Sequence, residues 1–145
     1  MESLINKNIL LGVTGGIAAY KSAEIVRGLK KAGSSVRVVM TQSAQEFITP
    51  LTLQALSGNP VSTDLLDAEA GAAMGHIELA RWADAILIAP ATANTIARLS
   101  SGRADDLLSS ITLAFDGPIG LAPAMNQAMW KDERTQSNNK NLEHK

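Results

Sequence analysis

The stretch "NILLGVTGGIAAYKS", residues 8–22, runs from a continuous apolar segment into a glycine pair and then a helical pattern. An unbroken apolar run bounded by glycine is the signature of a strand buried on both faces, as in parallel sheets. The same residues nearly spell the triphosphate loop G-x-x-x-x-G-K-[ST]. Counted from Gly15, however, Tyr20 stands where the second glycine belongs. A β-carbon and a ring at that point prevent the backbone from wrapping a triphosphate. The dinucleotide pattern G-x-G-x-x-G fails too, because Gly12, Gly15 and Gly16 have the wrong spacing. What remains is a glycine pair opening a helix, whose free N–H groups and dipole suit a single phosphate. Lys21 lies one turn further on and reads as a solvated residue.

Three more apolar runs have the same character: "VRVVMT" (36–41), "AILIAPAT" (85–92) and "PIGLAPA" (118–124). A helical pattern follows each. Residues 17–30 form a helix that Gly33 stops. Ser43 is expected to cap "AQEFI", and Asn94 to cap "TIARLSSG". Asp105 and Asp106 open a further helix, "LLSSITLAF", at the end where negative charge is favourable. The link between the second and third strands is longer and irregular, which points to function. Strand–helix alternation of this period predicts a single doubly wound α/β domain over residues 1–145. Its parallel sheet lies between two helix layers, with a Rossmann or flavodoxin-like strand order.

Ligands in such sheets bind outside the carboxyl ends of the strands. The residues at those ends are Thr14-Gly15-Gly16, Thr41 to Ser43, Thr92 to Thr95, and Ala124 to Asn126. They are small, and most bear a hydroxyl or an amide. Each exit taken singly is more simply read as a set of helix caps. Pro90 stands where a triphosphatase would carry its magnesium-binding carboxylate, and no acid ends the second strand. A monophosphate therefore fits best, and flavin mononucleotide (FMN) is the natural cofactor candidate.

Composition narrows the alternatives. The 145 residues are 46% hydrophobic and 19% charged with a net charge of −1, a globular balance with no basic block for nucleic acid or anionic lipid. No apolar run is long enough for a bilayer, and no secretory signal opens the chain, so a soluble cytoplasmic protein is expected. There is no cysteine and there are two histidines, which leaves no thiolate metal site; no metal is expected. Only five aromatic residues are present, so the core must be aliphatic. Trp82 and Trp130 read as packing residues, and so do Met125 and Met129, in the core or against a cofactor ring.

The segments "GVTGGIAAYK" (12–21), "ITPLTLQALSG" (48–58), "MGHIELARWAD" (74–84), "APATANTIARL" (89–99) and "APAMNQAMW" (122–130) occur in this order. Together they resemble the phosphopantothenoylcysteine decarboxylase domains of bacterial coenzyme A biosynthesis flavoproteins. These belong to the homo-oligomeric flavin-containing cysteine decarboxylases. The likeness runs from about Asn6 to Asn138. It implies FMN, a Rossmann-like fold, assembly as a trimer or a dodecamer of trimers, and C-terminal fusion to a ligase domain. The implied substrate is 4′-phospho-N-pantothenoylcysteine. Its thiol is oxidised to a thioaldehyde, CO₂ leaves, and the enethiolate is reduced to 4′-phosphopantetheine.

By the same resemblance His76 is the catalytic histidine, an imidazole able to accept a proton near neutral pH. Asn126 is implied to act on the substrate carboxylate, with Met125 beside it in substrate binding. The flavin would be held by Gly15, Gly16 and Ile17, by Thr41 and Ser43, by Thr92, Ala93, Asn94 and Thr95, and by Ala124. Family members carry a cysteine in a later flap that protonates the enethiolate. The expectation here is a chain cut before that flap and before the ligase, with residues 131–145 a helix lacking its return strand and the reductive half-reaction incomplete. Two relatives offer other readings: an oxidative decarboxylase of peptide C-terminal cysteines, and a non-catalytic FMN-binding regulatory subunit. The first is disfavoured by "ITPLTLQALSG" and "GGIAAYK", the second by the presence of His76. An electron-transfer flavodoxin is disfavoured by the scarcity of aromatics.

Overall fold

Four strands, β1 (Asn8–Val13), β2 (Ser35–Met40), β3 (Ala85–Ala91) and β4 (Ile119–Pro123), form one sheet in the order β2-β1-β3-β4. Every neighbouring pair is parallel. The computed structural model describes residues 4–65 and 74–143. Its helices are α1 (Ser22–Lys31), α2 (Pro50–Ser57), α3 (His76–Trp82), α4 (Ala93–Ser100), α5 (Leu107–Ala114), α6 (Gln127–Lys131) and α7 (Glu133–Glu143). This is the doubly wound parallel arrangement that the apolar runs predict. Within the long β2–β3 connection, residues 66–73 lie outside the described residues.

Side chains alternate across the pleat, so the two faces of the sheet bury different sets. Leu11, Val13, Val36, Val38, Met40 and Ala89 pack beneath Val26 of α1 and Leu53 of α2. Leu10, Val39, Ile86, Ile88 and Ala91 meet Leu79 of α3, Ile96 of α4, and Leu107, Leu108 and Ile111 of α5. Both sets are aliphatic, as the composition requires, and burial of each such side chain contributes roughly 1.5–3 kcal/mol. Trp82 packs at the margin of the second set, with the Arg37 guanidinium 5.5 Å above its ring.

The helix that begins at residue 17 starts as a 3-10 turn, Ile17–Lys21, before α1 takes over. Gly33 ends it at φ +96, where glycine carries no Cβ penalty. The amides of Gly33 and Ser34 return to the carbonyls of Lys30 and Leu29.

Two expected caps are corrected. Ala44 N donates to Thr41 Oγ1 at 3.3 Å, so Thr41 serves the turn after β2, and Ser43 is the first residue of a short 3-10 segment, Ser43–Glu46. That segment does not grow into a helix because Pro50 holds Thr49 in extended backbone (φ −87, ψ 147). At α4 the cap is Thr92, whose Oγ1 accepts from Thr95 N at 3.2 Å, and Asn94 lies inside the helix. Thr92 wins because it directly follows the last paired residue of β3 and keeps extended backbone (φ −76, ψ 162). Asp106 behaves as expected: it caps α5 in a capping box with Ser109 and pairs with Arg98 at 2.8 Å.

β4 is different in kind. It pairs only with β3 among the described residues, and four of its five residues are exposed. Neither α6 nor α7 buries a residue. Met129, expected to pack, is 45% exposed on the short α6. The helix foreseen for residues 131–145 is α7 within the described residues, where Leu142 packs toward the core and Asn141 Nδ2 bonds Ser100 Oγ at 3.3 Å.

Candidate functional site

All four strands run the same way, so their carboxyl ends lie along one edge of the sheet. From β1 the chain moves out to β2 on one side, and then returns to β3 on the other. The exits of β1 and β3 therefore flank the point where winding reverses, the usual ligand crevice of such sheets.

At this point the two exits are bonded together. Thr14, 1% exposed, donates its hydroxyl to the Pro90 carbonyl, and Thr92 N donates to Thr14 Oγ1 at 3.2 Å. The first exit is also pressed against the second. A Cβ on Gly15 would sit 2.5 Å from Ser43 Cβ and 2.8 Å from the Ser43 carbonyl carbon. No side chain fits there, so the glycine is set by the approach of the second exit. Thr41 Oγ1 and Ser43 Oγ lie 3.3 Å apart beside it.

Gly16 has the opposite surroundings. A Cβ there would meet only Thr92 Cγ2 at 3.6 Å, an ordinary contact, and its backbone is extended (φ −170). Neither strain nor crowding within the chain demands glycine at this position. The space stands open above a helix start whose first N–H groups have no intrahelical acceptor. Ile17, the next residue, is 81% exposed. The residues at the four exits include no carboxylate. Backbone donors, the hydroxyls of Thr41 and Ser43, and an open glycine form a donor set suited to a phosphate monoester. Lys21 stays outside it, with Nζ 5.9 Å over the exposed Tyr20 ring.

The remaining predicted residues belong to the third and fourth exits and to the start of α3. Thr95 is buried and accepts a hydrogen bond from Thr92 Oγ1 at 3.1 Å. Ala93 is half-buried and Asn94 exposed in the first turn of α4. Ala124 N donates to the Ala91 carbonyl, fastening the fourth exit to the third. Asn126 is the N-cap of α6, with Oδ1 accepting from Met129 N at 2.9 Å. That bond fixes the amide plane and leaves Nδ2 as an outward donor. Met125 packs against the core cluster and lines a groove of about 980 Å³ along β4 with Leu121, Trp130 and Leu142.

His76 is half-buried as the first residue of α3, after Gly75. The helix descends to Asp84, whose Oδ2 accepts from Asn8 N at 2.8 Å at the foot of β1. The His76 end of α3 thus points toward the strand exits. Thr14 is expected at the first exit, but its bonds to the Pro90 carbonyl and the Thr92 amide are not foreseen from the sequence. A buried threonine directly after an apolar strand was the available signal.

Among the described residues no cluster of acids and histidines could hold a metal ion, and no helix is long and apolar enough to cross a membrane. The family model described as Flavoprotein matches residues 1–145. The chain is 59% identical over 138 residues to the coenzyme A biosynthesis bifunctional protein CoaBC of Vibrio vulnificus (strain YJ016), covering 95% of this chain and 34% of that one. It thus spans about a third of the length of the curated relatives it matches. Among solved structures, the FMN-dependent cysteine decarboxylase SpaF superposes with a TM-score of 0.89 at 33% identity, over 97% of this chain and 81% of that one. A PPC decarboxylase variant complexed with pantothenoylaminoethenethiol gives a TM-score of 0.80 at 32% identity, over 96% and 78%.

Proposed function

This chain belongs to the flavoprotein family, and on that premise we propose that it binds FMN and oxidatively decarboxylates 4′-phospho-N-pantothenoylcysteine with release of CO₂, the reduction to 4′-phosphopantetheine requiring the flap cysteine of a longer chain. The observation that carries the reading is the pairing of an open Gly16 above a helix start with an acid-free ring of hydroxyls at the β1/β3 switch point. SpaF, described as FMN-dependent, shares this fold and supports the cofactor. The curated relatives, named for coenzyme A biosynthesis, support the substrate.

In this reading the amides after Gly16 and the hydroxyls of Thr41 and Ser43 bind the cofactor phosphate, and Thr92, whose hydroxyl donates to Thr95 Oγ1, borders it. Gly15, Ala93, Asn94, Thr95 and Ala124 shape the surrounding walls, and exposed Ile17 supplies apolar surface. When bound, FMN supplies a two-electron acceptor and donor, which a saturated cysteine needs before its carboxyl group can leave. His76 holds the proton released as the thiol is oxidised. Asn126 Nδ2 donates to the substrate carboxylate and keeps it directed without an ion pair that would favour the ground state. Met125 backs that residue. The working protein is proposed to be a homo-oligomer, with this domain as the decarboxylase part of a longer bifunctional chain.

The test is direct. FMN-loaded protein is incubated with phosphopantothenoylcysteine labelled in its carboxyl group, and released CO₂ is counted. Labelled CO₂ formed in an FMN-dependent way supports the proposal. Bound FMN with no release from this substrate, but release from peptides ending in cysteine, would instead favour a peptidyl-cysteine decarboxylase reading, the activity for which the structural neighbour EpiD is named.

A further inference from the structure

Thr14 is buried to 1% exposure, yet it is polar and belongs to no helix cap. Its hydroxyl is fully engaged, as donor to the Pro90 carbonyl and as acceptor from Thr92 N. These two partners sit on either side of Ala91, the last residue of β3. A single oxygen thus ties the end of β1 to both flanks of the β3 exit. Immediately after Thr14 comes the Gly15-Gly16 turn, and immediately after Thr92 comes α4.

We propose that Thr14 is a positioning residue for the phosphate end of the flavin site: its hydroxyl sets the distance between the glycine turn of the first exit and the start of α4. The inference rests on the FMN reading given above. Two observations make the residue more than a space-filler. Thr92 is itself the cap of α4, so Thr14 holds the amide of the capping residue, and on the other side of β3 the pairing with β4 shifts register between Ile88 and Ala91. On the side of β1 the ladder ends at Gly12–Ile88, so no ladder pair ties β1 to the β3 exit itself. Thr14 supplies the missing connection, on the side of β1. Gly16, whose Cβ position looks only toward Thr92 Cγ2 at 3.6 Å, is the point where the two exits face each other. If that gap widens, the backbone donors after Gly16 and the wall formed by Thr92 and the start of α4 cease to enclose one phosphate.

The experiment compares Thr14→Val, which keeps shape and loses both hydrogen bonds, with Thr14→Ser, which keeps the oxygen and loses a methyl group. FMN dissociation constants are measured by flavin fluorescence quenching on the apoprotein, beside the thermal midpoint of each apoprotein. Removing a buried donor–acceptor of this kind is expected to weaken FMN binding about tenfold in the valine variant, with the serine variant within about twofold of wild type. Equal weakening in both variants would assign the effect to methyl packing and overturn the proposal, as would unchanged affinity in Thr14→Val. Should the valine variant not fold, hydrogen exchange of the Thr92 amide in wild-type and Thr14→Ser apoprotein decides instead. Protection in both supports the proposal, and rapid exchange in wild type overturns it. Wild-type protein that takes up no FMN at all sinks the flavin reading itself, and with it this inference. That outcome is distinct from a wild type that binds while Thr14→Val binds equally well.

Discussion

At the first exit Thr14 is 1% exposed and bonded to the neighbouring strand, while at the fourth exit Asn126 is exposed and its side chain bonds only within its own helix. The same contrast holds for the elements behind them. β1 lies between two strands with both faces buried, whereas β4 has one neighbour and four exposed residues out of five. A corner so over-determined is suited to gripping a cofactor that stays. A thin edge held by a cap and a few contacts is suited to meeting a substrate that comes and goes. The difference teaches that binding and turnover should separate by region in this molecule, and substitutions can break that claim.

The largest effect is expected at the thin edge, in turnover alone. Aspartate is as good an N-cap as asparagine, so Asn126→Asp keeps α6. It replaces the Nδ2 donor by a negative charge facing the position proposed for the substrate carboxylate. Loss of a charge-assisted hydrogen bond predicts a fall in kcat/KM on the order of a hundredfold or more, with FMN affinity unchanged. Steady-state assays beside flavin titration check this, and retained turnover would remove Asn126 from the proposed chemistry.

The corner comes next. In Gly15→Ala the new methyl would press on Ser43 backbone 2.8 Å away, a crowding expected to cost about 1–3 kcal/mol of apoprotein stability in urea unfolding and to weaken FMN binding as well. Gly16→Ala is the control. Its methyl meets nothing closer than Thr92 Cγ2 at 3.6 Å, so stability should hold while FMN affinity falls about tenfold, because the methyl enters the space proposed for the phosphate. Identical behaviour of the two variants would contradict the distinction between a packed glycine and an open one.

The strands and the order of the helices were legible because continuous apolar runs and glycine stops are local signals. Ile9 to Val13 and Ala85 to Ala91 could not be read otherwise without leaving a core unbuilt. Caps were misread where two adequate residues competed. Thr92 and Asn94, or Thr41 and Ser43, have the same chemistry, and the choice depends on where strand pairing stops, a tertiary fact. Gly15 and Gly16 look equivalent in sequence, yet one is dictated by Ser43 across the turn and the other by nothing in the chain. The exposure of β4 and of Met129 was hidden for a similar reason, since "PIGLAPA" is as apolar as a buried strand.

Between corner and edge, α5 provides a smaller effect. Asp106 Oδ1 accepts from Ser109 N at 2.8 Å, and Oδ2 meets Arg98 Nη1 at 2.8 Å. Asp106→Ala removes the cap and should lower stability by about 1 kcal/mol in urea unfolding, while Asp106→Asn keeps the cap and should lower it by less. Both variants should bind FMN as wild type does, because neither exit residue moves.

The smallest effect belongs to the edge once more. Asp132, between α6 and α7, accepts from Arg134 N at 2.8 Å, from Nε at 3.0 Å and from Nη2 at 2.9 Å. The Arg134 side-chain hydrogen bonds, then its backbone amide, lower the Asp132 pKa from 3.8 to about 2. Because the folded value lies below the unfolded one, the contribution to stability is fully present above the ordinary aspartate range and is lost as pH falls through about 2. The pair is exposed to solvent and salt, so the contribution is small and should vanish first as ionic strength rises. A carboxyl-carbon NMR titration should place the Asp132 midpoint near 2, and Arg134→Ala should return it toward 3.8. A wild-type midpoint already at the ordinary value would mean that this local contact is not kept, leaving the Gln136 bonds to the carbonyls of Trp130 and Asp132 as the hydrogen bonds that join the two helices among the described residues.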